Sequence, residues 1–161
     1  MSSIYDDIRA ALEVKLDGVS GMPSIAWENL TFTRTTGQSY VAPRLIPTVR
    51  EPAVRGLNPQ MYYQGLFRVD CYVPEGLGPK AADDLADKII DAFEATTSIY
   101  YEPSTNSILT ESGAFITTES GKKVLLDGVI NLSIRRAERE QGISDGAFFM
   151  VPVNVSWYIY S

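Results

Sequence analysis

The chain of 161 residues contains no histidine and a single cysteine, Cys71. Without histidine it lacks the commonest general acid–base residue, the Ser-His and Cys-His nucleophile pairs, and a ligand of nearly every zinc site. One cysteine excludes an internal disulfide and a cysteine-cluster metal site. Because Cys71 falls in an alternating strand pattern, we expect a buried thiol. We therefore expect no catalytic, cofactor-binding or metal-binding residues.

Positive charge and long apolar runs are also scarce. The 14 Lys and Arg residues are outnumbered by 20 Asp and Glu residues, giving a net charge of −6. This balance disfavours a broad surface for nucleic-acid phosphates. No apolar run approaches the roughly 20 residues that cross a bilayer. Since residues 1–7 are acidic and polar, unlike a signal peptide, we expect no membrane partner and assembly in the cytoplasm where the chain is made.

The remaining composition is that of a globular protein, with 45% hydrophobic and 21% charged residues. A chain of this length is expected to form one domain, residues 1–161, with a substantial core.

Two segments have helical periodicity. Ser3 precedes an apolar stripe spaced by four residues, with Asp6 placed to complete a capping box and Gly18 to end the helix near Leu16 or Asp17. A second helix should begin at Pro79 and run to about Ala95. Its apolar stripe is wide enough to cover a sheet and consists of Ala82, Leu85, Ala86, Ile89, Ile90 and Phe93.

The strand signals are alternating apolar residues, clearest at Leu66–Val73 and Phe149–Ile159. Further strands are predicted at Ile25–Trp27, Leu30–Arg34, Tyr40–Val49, Ala114–Thr118, Lys123–Leu126 and Val129–Arg136, with Ala137–Gly146 as a charged loop. The predicted fold is α+β. Two helices pack on one face of a mainly antiparallel mixed sheet, which carries a long loop or arm and a hairpin elaboration.

The segment Thr48–Tyr62 is predicted to be an arm outside the sheet. It contains Pro52, Gly56 and Pro59, which interrupt regular structure, and it is longer than an ordinary connection. It also carries residues suited to a protein contact, which are our interaction candidates: Arg50, Arg55, Leu57, Met61 and Tyr62. Such an arm would be mobile in the free subunit and ordered on assembly. The alternative is a loop packed permanently on its own subunit.

Three charged or glycine-rich groups of residues are candidates for sites. Asp83, Asp84, Asp87 and Asp91 could share a magnesium ion, but a solvated helix face with an Asp84–Lys88 pair is favoured. For Arg135, Arg136 and Arg139, local pairing or a protein contact is favoured over phosphate binding. Gly76 and Gly78 do not form a dinucleotide-binding pattern, since the second glycine leads straight into Pro79.

Several segments, in order, resemble the tail terminator-like proteins of long-tailed phages. The matching residues are Ile25–Asn29, Tyr40-Val41, Leu45–Pro47, Gly65–Pro74, Gly76, Gly78, Ala81, Leu85, Ala86, Ile89 and Asp145–Tyr158. Residues 98–141 match poorly.

The resemblance implies an α/β subunit that assembles as a ring, usually a homohexamer. Such a ring caps the tail tube, stops its polymerisation and offers a docking surface to the head-tail connector protein. Its partners would be further copies of itself, the tail-tube protein and the connector, with DNA passing through the lumen without specific binding. The implied location is the head-proximal end of the virion tail.

Two other functions stay open at this point. One is another structural tail or neck component, such as a tail-tube or head-completion protein. The other is a magnesium-dependent hydrolase that works with carboxylates alone, which a concave pocket with convergent, perturbed carboxylates would favour.

Overall fold

The computed structural model describes residues 3–95, 97–101 and 130–161. Two helices and seven strands follow one another as α1 Ile4–Asp17, β1 Ser24–Ile25, β2 Tyr40–Pro52, β3 Met61–Pro74, α2 Pro79–Ala92, β4 Ser98–Tyr101, β5 Ile130–Arg139, β6 Ile143–Asp145 and β7 Phe148–Tyr160. The strands predicted at Ala114–Thr118 and Lys123–Leu126 lie outside the described residues.

All the described strands belong to one curled sheet with the order β1-β2-β3-β7-β5-β4, and β6 pairs with the end of β7. The β1–β2 pair is parallel and the other pairs are antiparallel. The predicted α+β class with a mainly antiparallel mixed sheet is confirmed.

The longest uninterrupted register joins β3 to β7, from Tyr62 opposite Tyr160 to Pro74 opposite Phe148. Because side chains alternate along a strand, this register puts the apolar residues of both strands on one face. Both helices cover that face, and their buried residues share one core with the strands: Ile8, Leu12, Leu16, Ala82, Leu85, Ile89, Phe67, Val69, Cys71, Val151, Val153, Val155 and Trp157. The helices therefore pack on the same side of the sheet, as predicted.

The helix boundaries follow the capping signals. The Asp6 amide donates to Ser3 Oγ at 3.3 Å and the Ser3 amide donates to Asp6 Oδ2 at 3.2 Å, so the predicted capping box is confirmed. Gly18 is the C-cap of α1. The second helix begins at Pro79 and ends at Ala92 rather than near Ala95.

Three sequence predictions are wrong at the sheet margins. Residues 30–34 form no strand; Phe32 instead packs 5.0 Å from the Tyr40 ring, so side-chain packing replaces backbone pairing there. The strand predicted at Ile25–Trp27 ends at Ile25. The predicted loop Ala137–Gly146 contains the end of β5 and all of β6, since both strands find partners on β7.

Gly65 of β3 lies directly opposite Trp157 of β7, and the tryptophan ring covers it. A Cβ atom at this position would be 2.5 Å from the Trp157 ring and 2.6 Å from the Ile46 carbonyl oxygen. Neither the ring nor the backbone has room to move in a close-packed core, so only glycine fits here.

Replacement of Phe93 by alanine should destabilise the protein by about 3–5 kcal/mol. Phe93 is fully buried at the end of α2, with its ring 5.9 Å from that of Phe67, so truncation leaves a cavity between helix and sheet. Urea unfolding of Phe93→Ala beside Val14→Ala, whose side chain is 62% exposed on α1, measures the difference. Equal stability of the two variants would show that Phe93 is not part of the core.

Candidate assembly surface

The predicted arm Thr48–Tyr62 is a β-hairpin for much of its length. Arg50 lies opposite Tyr63 and Pro52 opposite Met61, so both ends of the segment belong to the sheet. The prediction that the whole segment lies outside the sheet is therefore wrong. Only residues 53–60 form a loop, closed by a 2.8 Å hydrogen bond from the Ala53 amide to the Gln60 carbonyl. We call this loop the hairpin tip.

The hairpin is tied firmly to the sheet at its base. The Met61 amide donates to the Ser161 carbonyl at 2.7 Å, and the Ser161 amide donates back to Met61 at 2.9 Å. Met61 packs against the core, and the Arg50 guanidinium lies 5.8 Å from the centre of the Tyr63 ring. Two of the five interaction candidates, Arg50 and Met61, are thus engaged within the subunit.

Tyr62 is also engaged, on the face of the sheet that carries no helix. Its hydroxyl donates to Gln64 Oε1 at 2.7 Å and accepts from Arg135 Nη2 at 3.0 Å. Its ring lies 6.3 Å from that of Tyr158 and 5.1 Å from that of Tyr160. The sequence placed Tyr62 in the arm and Arg135 in a basic cluster, and only the β3–β7–β5 order brings the two together.

The hairpin tip is where the remaining candidates lie. Leu57 is 102% exposed, Val54 is 64% exposed, and Arg55 forms no ion pair with any residue that the structure describes. Asn58 has a positive φ of 53°, which asparagine tolerates in turns. A leucine held in water by a firmly anchored hairpin is the feature expected of a contact residue rather than a folding residue.

Beyond its short pairing with β1, the outer edge of β2 is poorly suited to adding another strand. Every second residue of β2 points its backbone N–H and C=O groups away from β3. Because the register shifts between Pro47 and Val49, Pro52 is also one of these outward positions. Three of these positions, Pro43, Pro47 and Pro52, have no N–H. The outward amide of Leu45 donates to the Glu28 carboxylate at 3.3 Å. Prolines and a capping side chain are the means by which natural sheets prevent edge-to-edge association.

The Glu28 carboxylate belongs to an open cleft of about 620 Å³ beside α1. Arg9 forms an ion pair with Glu28 and lies 3.9 Å from Glu13. Burial raises the pKa of Glu13. Burial also acts to raise the pKa of Glu28, but hydrogen bonds from Arg9 and the Leu45 amide bring it below its usual value. Arg9 holds the Glu13 and Glu28 carboxylates in place. Because Glu28 also accepts from the Leu45 amide, this cluster stabilises the edge of β2.

The acidic face of α2 is paired to its neighbours. Asp84 bonds Lys80 at 2.6 Å, whereas Lys88 reaches the Gly21 carbonyl at 3.5 Å, so the predicted Asp84–Lys88 pair is wrong. The pairs expected for the arginine cluster are present, because Arg139 lies 3.3 Å from both Asp83 and Asp87, and Arg136 lies 3.5 Å from Glu138. Within the described ranges, no three acidic or cysteine side chains are grouped to hold a metal ion.

Two further charged or titratable groups lie within the sheet. Cys71 is buried as predicted, and burial raises the pKa of its thiol to about 12. Asp70 is 2% exposed on the face without helices, where Arg68 Nε donates to its carboxylate at 2.8 Å and Arg44 approaches at 3.5 Å. The Asp70 charge is compensated by the two arginines, and the Cys71 thiol stays protonated near neutral pH.

A sheet covered by helices on one side and an anchored hairpin with an exposed apolar tip make up the candidate assembly surface. The family model of the phage tail terminator proteins matches residues 7–157. The chain therefore belongs to the phage tail terminator protein family and is a structural component of a phage tail.

A solved structure shares the fold, with a TM-score of 0.61 at 19% sequence identity, over 99% of this chain and 96% of the other. No protein of curated function matches the sequence. None of the helices in the described residues is long and apolar enough to cross a membrane.

Replacing Glu28 by glutamine should remove part of the pH dependence of stability. The pKa of Glu28 is lowered by folding, so its charge stabilises the native state above its unfolded value of 4.5, and this contribution disappears as the pH falls through the lower folded value. Glu28→Gln should therefore melt below the wild type at pH 7, and the difference should shrink on acidification below pH 4.5. A difference in melting temperature that stays constant across this range would contradict the assignment.

Proposed function

We propose that the chain assembles as a ring, a homohexamer, that caps the head-proximal end of the tail tube and stops its polymerisation. One face of the ring meets the tail-tube protein, and the other provides the docking surface for the head-tail connector protein. The observation that carries this proposal is the match to the phage tail terminator family over residues 7–157.

The hairpin supports this function because it separates an anchored base from an exposed tip. The base is fixed by hydrogen bonds to the C-terminal Ser161, so the tip is presented in a defined direction. Burying a leucine side chain contributes about 1.5–3 kcal/mol to the stability of a protein or a complex. In an isolated subunit the exposed Leu57 side chain makes no such contribution. Covered by a neighbour, it would contribute to assembly. We propose that Arg55 and Leu57 make the contact and that Arg50, Met61 and Tyr62 position them.

The acidic balance of the chain suits the lumen of such a ring. A net charge of −6 does not favour retention of DNA phosphates, so DNA would pass through without specific binding. We also propose that the protein has no enzymatic role, because four of its described carboxylates, those of Glu28, Asp70, Asp83 and Asp84, are engaged in pairs with Arg9, Arg68, Arg139 and Lys80.

Native mass measurement of the purified protein, alone and with the tail-tube protein, tests the proposal. We expect six copies of the 17.8 kDa chain, either free or on the ends of tail tubes, and tubes that stop growing when the chain is added. A chain that stays monomeric under both conditions and leaves tube growth unchanged would contradict it.

Replacement of residues 53–60 by a short Gly/Ser turn should leave the melting temperature nearly unchanged and abolish ring formation or docking to the tail. The loop is largely exposed, and its closing hydrogen bond joins two of its own residues, so it contributes little to the fold. Amide exchange on the free wild-type protein gives the direct check, since we expect fast exchange within residues 54–59. Slow exchange throughout this loop in the monomer would show that it is already packed on its own subunit.

A further inference from the structure

We propose that the hairpin tip of one subunit docks, through Leu57 and Arg55, into an apolar cleft at the opposite end of the sheet of a second copy of this chain. The inference rests on the proposed ring and specifies its contact between subunits.

The cleft lies where β3 ends and α2 begins, with β6 on its other side. It has a volume of about 530 Å³ and is lined mainly by apolar atoms of Pro74, Glu75, Gly76, Gly78, Pro79, Ser144 and Phe149. The Phe149 ring is held in place, because it lies directly against Gly142, where a Cβ atom would be 2.2 Å from the ring. The cleft is thus a formed apolar recess of a size that accepts a leucine side chain.

Further apolar residues flank the cleft. Leu77, between the two glycines of the lining, is 62% exposed, and Ile143, next to Ser144, is 53% exposed. Together with the cleft they form an apolar surface at this end of the molecule. Exposed leucine at the hairpin tip and exposed apolar surface at the cleft are each unfavourable in water, and one contact would cover both.

The tip cannot reach the cleft of its own subunit. The two lie at opposite ends of β3, whose 14 residues from Met61 to Pro74 extend for roughly 45 Å. A hairpin loop of residues 53–60 is far too short to fold back over that distance. If the tip occupies this cleft, the cleft therefore belongs to a second copy of the chain.

Charge is complementary at the two surfaces. Arg55 at the tip forms no ion pair within the described part of the chain, and the same holds for Glu75 in the cleft lining. A 2.9 Å hydrogen bond from the Glu75 amide to the Ala147 carbonyl fixes the Glu75 backbone, so its side chain starts from a fixed position at the cleft. Insertion of Leu57 would bring the two unpaired charges to the same surface. The attraction between Arg55 and the Glu75 carboxylate would then favour this cleft over one with an apolar rim alone.

Such a contact uses two different patches, one from each subunit, and is therefore heterologous. A heterologous contact repeated around one rotation axis forms a ring when the rotation closes, as the proposed function requires. Because the prolines and Glu28 disfavour strand addition at the β2 edge, the hairpin tip would act as an inserted anchor rather than as an added strand.

The test combines charge reversal at both surfaces. Arg55→Glu and Glu75→Arg, each alone, should weaken assembly at least about tenfold, as measured by sedimentation across a concentration series. The chain carrying both reversals should recover wild-type assembly. An equimolar mixture of the two single variants should also recover assembly, as rings of alternating subunits, because the tip of each variant is complementary to the cleft of the other. Failure of the double variant to recover would overturn the charge pairing.

The apolar contact is tested by Leu57→Asp, with Val14→Asp as the control at another exposed apolar residue, on α1. Only Leu57→Asp should weaken assembly. Where the wild-type protein is monomeric in solution, the same variants are compared on tail tubes, and Leu57→Cys with Ser144→Cys should cross-link into a ladder of oligomers. Val14→Cys with Ser144→Cys should give no ladder. Cys71 does not interfere, since it is buried.

The outcomes separate this contact from the ring itself. Wild-type rings that persist in Leu57→Asp and in both charge variants would overturn the docking and leave the proposed ring standing. Rings that form normally in these variants but no longer bind tail tubes would assign the hairpin tip to the tail-tube protein and equally overturn the inference. A wild-type chain that never assembles, with no cross-linked ladder, would refute both.

Discussion

The antiparallel pairing of β3 with β7 is the constraint on which the rest of the structure depends. It runs without a register shift from Tyr62 opposite Tyr160 to Pro74 opposite Phe148. A shift of one residue would move every side chain to the other face of the sheet. The register therefore determines which residues of both strands form the core and which face of the sheet the two helices cover. The register also places Trp157 over Gly65, the position where the sheet has no room for a side chain.

The same strand pair connects the fold to assembly. One end of β3 carries the base of the hairpin, which Ser161 secures, and the other end forms part of the apolar cleft beside Phe149. Three prolines remove N–H groups along the outer edge of β2, and Glu28 occupies the amide of Leu45, which disfavours uncontrolled strand addition. The surfaces left for partners are thus concentrated at the two ends of a rigid sheet, an arrangement that suits a subunit with different neighbours on its two sides.

The sequence predicts much of this fold because its strongest signals are local. The Ser3–Asp6 capping box, Pro79 and the alternation of the final strand each specify structure within a few neighbouring residues. The errors have tertiary causes. Residues 30–34 lack a strand partner despite their alternation, and the prolines of the hairpin occupy outward edge positions, where their missing N–H groups cost nothing. The contacts of Tyr62 with Arg135 and of Glu28 with Leu45 join residues distant in sequence, so no local pattern could indicate them.

The central claim is that this chain forms a ring at one end of the tail tube. Electron cryomicroscopy of tail tubes assembled in its presence tests this most directly, because it locates the chain and resolves the contact between its subunits. The account predicts a single ring at one end of each tube, with density from each hairpin tip reaching the neighbouring subunit. Tubes decorated along their length, or ends that carry no ring, would contradict it.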